Sequence, residues 1–67
     1  METVYVDCVG PFSIWRCRTL GKVWYEATRP GVREPSPEFS QPIDAYGWCE
    51  HQLEAMHTAE QMRRMIG

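Results

Sequence analysis

Cys8, Cys17, Cys49, His51 and His57 are residue types that bind zinc, and Glu50, Glu54, His57 and Glu60 are types that exchange protons. Structural zinc in small domains draws on closely spaced cysteine pairs, and this sequence has none. On a helix, Cys49 and His51 point about 200° apart, and His57 lies about 12 Å further along the axis than Cys49. They cannot close on one tetrahedral ion, so no metal and no cofactor are expected. The cysteines read as small buried hydrophobes, and their odd number fits reduced thiols better than a disulfide framework.

Steps of three and four residues put Glu50, Glu54, His57 and Glu60 on one helical face. General acid–base chemistry also needs a concave, water-excluding pocket, and 67 residues leave little surface from which to build one. Cys49 falls among apolar helix positions and predicts an inert thiol. Nothing resembles a phosphate loop or a glycine-rich dinucleotide turn. The expectation is a protein that is not an enzyme.

Binding chemistry is better represented. Three tryptophans are present, and Trp24 stands close to Arg16 and Lys22 on the β-rich part of the chain; Trp and Arg dominate binding hot spots. The candidate partner-binding residues are therefore Ile14, Arg16, Arg18, Lys22 and Trp24. The net charge of −2 conceals a polarised layout. Residues 8–33 carry five cations against Glu26, whereas residues 34–62 carry six acids and no Lys or Arg. One surface should attract anions and another repel them. Glu50, Glu54 and Glu60 form a secondary acidic face, able to present carboxylates where a partner expects phosphates.

The elements that must position these groups follow from periodicity. Residues 3–9 alternate, with Val4, Val6 and Cys8 on one side and Thr3, Tyr5 and Asp7 on the other, which predicts a strand. Gly10-Pro11 punctuates, and residues 12–18 and 22–28 are two further β-rich runs. The three form an antiparallel meander. A two-residue loop at Leu20-Gly21 would set Arg16 and Arg18 on the face of Val23 and Tyr25. A three-residue loop sorts the faces instead, pairing Arg18 with Lys22, Arg16 with Trp24 and Trp15 with Tyr25. On that reading Trp15, Cys17, Val23, Tyr25 and Ala27 form the core, while Ile14, Arg16, Arg18, Lys22, Trp24 and Glu26 face outward.

Residues 29–42 hold four of the five prolines and form an extended connector, with Phe39 the residue able to pin its centre. From Ile43 the period becomes helical. Ala45, Tyr46, Cys49, Leu53 and Met56 share one stripe, so a helix over 43–57 should pack on the sheet. Ala59, Met62 and Ile66 lie on a rotated stripe, and Thr58 to Gln61 spells a capping box. These predict a break near His57-Thr58 and a second helix over 58–66. The fold expected is α+β in a single domain over residues 1–67: a three-stranded meander packed by one amphipathic helix, then a short C-terminal helix.

The layout over residues 3–56 resembles, in topology, the small arm-type DNA-binding domains of phage integrases, which lay their sheet in the major groove. In size and acidic character the chain is similar to inhibitors carried by phages and mobile elements, anti-CRISPR proteins among them, which occlude a host protein's working surface. The leading expectation is a non-enzymatic interaction protein whose partner is a host protein or a protein–nucleic-acid complex. The alternative is a DNA- or RNA-binding module using the basic hairpin. No apolar run reaches the roughly 20 residues that span a bilayer, and Met1-Glu2-Thr3 lacks the basic flank of a signal peptide. A soluble cytoplasmic chain with no membrane contact is expected. The exposed stripe of Ala59, Met62 and Ile66 is expected to meet itself in a homodimer.

Overall fold

The computed structural model describes residues 1–34 and 36–66, with side chains described as far as Arg63. Strands β1 (Glu2–Val9), β2 (Phe12–Thr19) and β3 (Lys22–Thr28) form an antiparallel sheet in sequence order, packed by one helix, α1 (Pro42–Ile66). This is the α+β arrangement that the periodicity predicts. Both hairpin turns have two residues. Val9 pairs with Phe12 across Gly10-Pro11, and the φ of 57° at Gly10 suits the first central position of a type II′ turn. Thr19 pairs with Lys22 across Leu20-Gly21, where Gly21 takes φ 79° and Leu20 does not turn positive, the φ pattern of a type II turn.

The second turn corrects the predicted register. Arg18 lies opposite Val23, Arg16 opposite Tyr25, Cys17 opposite Trp24 and Trp15 opposite Glu26. A one-residue difference in loop length sends each side chain of one strand to the other partner set. Phe12, Ile14 and Ala27 therefore face the helix and form the core with Ala45 and Cys49. Val9, Tyr25, Phe39, Tyr46, Trp48 and Leu53 pack around them. Trp48 meets Phe12 edge-on at 5.6 Å between ring centroids and Phe39 at 6.2 Å. Val23, expected in the core, is exposed.

The charged residues that argued against this register are accommodated because the helix covers only one end of the sheet. Its contacts run from Tyr46, whose hydroxyl donates to Asp7 Oδ2 at 2.8 Å, to Leu53 against Gly10 and Met56 beside Arg29. Arg16 and Arg18 share the helix-side face but stand at the opposite end, in water. A bulge at Val6 also shifts β1, so Val4, Asp7 and Val9 align with the helix-side residues of β2, and Thr3, Tyr5 and Cys8 with the other face. The simple alternation expected for residues 3–9 fails at that point.

The connector closes the outer edge of β3. Tyr25 and Phe39 exchange main-chain hydrogen bonds of 2.7 and 2.8 Å. Ser36 donates its N–H to the Ala27 carbonyl at 3.1 Å while its hydroxyl accepts the Ala27 N–H at 2.7 Å. Pro42 opens α1 where its missing N–H costs nothing, and Asp44 sits in the first turn. The break predicted at His57-Thr58 does not occur: α1 is continuous. Ala59, Glu60, Gln61 and Met62 are strong helix formers, and a helix end is not required where water accepts the exposed apolar atoms. Residues 57–63 are exposed throughout.

Candidate interaction face

The sheet face opposite α1 is built from alternate residues of three strands. The register aligns Tyr5, Trp15 and Glu26 in one row and Thr3, Cys17 and Trp24 in the next, with Lys22 beyond. Tyr5 and Trp15 meet edge-on at 5.6 Å and 78°, a geometry favoured by the ring quadrupoles. Trp15 Nε1 donates to Thr28 Oγ1 at 2.9 Å, which fixes the indole over the neighbouring strand. Glu26 Oε1 accepts from Trp24 Nε1 at 3.3 Å and from Cys17 Sγ at 2.9 Å. Lys22 Nζ lies 5.0 Å from the centroid of the Trp24 ring system, within cation–π range.

Cys17 is the floor of this face. It is 1% exposed although no helix covers it, because its taller neighbours close around it. Burial, followed by the Glu26 hydrogen bond and charge, pushes its thiol up to about 11. The sulfur is a protonated donor at neutral pH and not a nucleophile. Trp15 and Trp24 remain half-buried and Tyr5 is 52% exposed. The result is a rigid aromatic surface whose polar ends are already oriented.

The candidate residues named from sequence are divided by the sheet. Lys22 and Trp24 lie on the open face, and Arg16 and Arg18 on the helix side. Ile14 is 0% exposed beneath α1, so it is a core residue and not a partner contact. Trp15, assigned to the core, is instead on the open face with Tyr5 and Glu26, which the sequence reading left out. Its signal was present in the two-residue Leu20-Gly21 alternative, which places Trp15 beside Glu26.

Two of the three candidate cations are also matched internally. Arg18 pairs with Glu2 at 3.3 Å and Lys22 with Glu38 at 3.1 Å, both in solvent. Such pairs stabilise little, yet they set carboxylates beside the basic hairpin and weaken its field for anions. Glu50, Glu54 and Glu60 are exposed on α1. Among the described residues no group of three His, Cys, Asp or Glu side chains is placed to hold a metal ion, and no described helix is long and apolar enough to cross a membrane. Ala59 and Met62 are exposed on the distal half of α1, and the Ile66 side chain lies outside the described residues.

Comparison of the chain with protein-family models, with curated proteins and with solved structures finds no match in any of the three.

Proposed function

We propose that this chain is a non-enzymatic interaction module that docks a protein partner on the open sheet face through Tyr5, Trp15 and Trp24. The observation that carries the reading is the exposed aromatic surface itself: two half-buried indoles and a tyrosine side by side, away from the helix. Aromatic side chains with a polar tip supply large contact area at low rotamer cost, and they are enriched where binding energy concentrates. Glu26 on the β3 side of the face and the Glu38 partner of Lys22 favour a protein surface over a polyphosphate.

The test is affinity capture from the native host, followed by titration of the captured partner against variants. Trp24→Ala and Tyr5→Ala should each weaken binding by about 2 kcal/mol or more, near 30-fold, with the circular-dichroism spectrum retained. Unchanged affinity in both would move the site to Glu50 and Glu54. Retardation of a nucleic acid whose affinity falls steeply with salt, with a log–log slope of roughly −3 or beyond, would replace the reading with a nucleic-acid interface.

A further inference from the structure

The sheet has two edges, and the chain treats them differently. β3 is closed by the connector at Ser36 and Phe39. Among the described residues no strand or connector bond closes the outer edge of β1: residues 2–8 are all exposed, and residues 3–6, Thr-Val-Tyr-Val, contain no charge, proline or glycine. Natural sheets normally protect an edge with Lys, Pro, a bulge or a covering segment. Here the bulge comes only at Val6, so the first part of β1 is an unprotected, regular template.

The register fixes which backbone groups it offers. Tyr25 and Ala27 direct their peptide groups outward to the connector, so their partners Arg16 and Ile14 direct theirs to β1. Val4, opposite Arg16, is bonded inward, and alternation leaves Thr3 and Tyr5 with N–H and C=O facing away from the sheet. Two copies related by a two-fold axis through Val4 then pair Thr3 of each with Tyr5 of the other, exchanging about four main-chain hydrogen bonds. In that register Glu2 faces Val6 of the second copy, not a carboxylate. Val4, 39% exposed, meets its own copy on the helix side, and Tyr5 stands beside Thr3 on the open side. The helix meets β1 at Asp7 and the turn beyond it at Gly10, past Thr3, Val4 and Tyr5.

We infer that β1 is a self-association edge: two copies join antiparallel through Thr3, Val4 and Tyr5 into one six-stranded sheet. The second copy is the fitting occupant because this short sequence is self-complementary under a two-fold, with no like charges opposed. The axis stands perpendicular to the sheet, so both aromatic faces look the same way and form one doubled surface. The inference rests on the edge and is independent of what the aromatic face binds.

Light scattering of the full chain over about a hundredfold dilution series tests it. Wild type should read twice the chain mass of 7.8 kDa at the concentrated end and fall toward the chain mass on dilution. Val4→Lys should read the single-chain mass at every concentration, with its circular-dichroism spectrum unchanged. Thr3→Pro is the second variant, since it deletes an outward N–H and no internal sheet bond; it too should halve the mass. A wild type that stays at the single-chain mass overturns the inference. So does a dimer that survives both edge variants but is split by Met62→Asp, which would place the contact on the distal helix.

Discussion

Individual side chains here are tuned by one or two close partners. Asp7 accepts from the Cys8 backbone N–H at 2.8 Å and from the Tyr46 hydroxyl, and these bonds, the first larger, hold its carboxyl below its ordinary value of 3.8. A depressed carboxyl contributes stability that is fully present above the unfolded value and is lost as the pH falls through the folded one. Melting temperature should therefore drop on acidification below the ordinary Asp range, and Asp7→Asn should flatten that drop; melting curves across an acid pH series check this. The thiols divide in the same way. Cys8 is exposed, whereas Cys17 and Cys49 are buried, and burial raises both buried thiols. A thiol-titrating reagent at mildly alkaline pH should modify Cys8 alone in the folded chain and all three cysteines in denaturant, read by intact mass.

The elements are joined at a few small residues. Ser36 closes the β3 edge by satisfying the buried Ala27 N–H. Ser36→Ala leaves that donor unpaired and should cost about 1–3 kcal/mol in urea unfolding, whereas removing an exposed hydroxyl would cost far less. Gly10 and Gly21 both hold positive φ, so alanine at either should cost on the order of 1 kcal/mol. The two differ in surroundings: a Cβ at Gly10 would sit 3.0 Å from Leu53 Cδ2, while nothing lies within 4 Å at Gly21. Gly10→Ala should be the more damaging by equilibrium denaturation, because Leu53 must move from the helix–sheet contact. The strands, the Gly10-Pro11 turn and a helix starting within one residue of Ile43 were legible in sequence, since each is dictated by local chemistry, whereas the turn at Leu20-Gly21 was read one residue too long.

At the scale of the whole molecule the longest dimension is 52 Å against 22 and 17 Å. A helix of 25 residues is about 37 Å long, and its last core contact is Leu53. The distal half therefore adds length without adding core. Ending the chain after His57 should lower helical ellipticity while shifting unfolding free energy by no more than about 0.5 kcal/mol, the range of changes at exposed positions. Leu53→Ala, by contrast, should cost about 2 kcal/mol because it removes the contact that seats the helix. Both are read by chemical denaturation followed by circular dichroism.

Element types, the meander and the apolar stripe of Ala45, Tyr46, Cys49, Leu53 and Met56 follow from local pattern, because period, turn residues and helix-start signals act over a few residues. Which sheet face is core depends instead on where the helix packs. Sorting charge from apolar groups favoured a three-residue loop, on the premise that everything on the helix side must be buried. The helix covers just one end of the sheet, so Arg16 and Arg18 share a face with Phe12 and Ile14 and still reach water. That register turned Trp15 outward beside Glu26 and Ile14 inward. Strand register turns on a single residue of loop length, and where the helix stops is a long-range fact that no local pattern encodes.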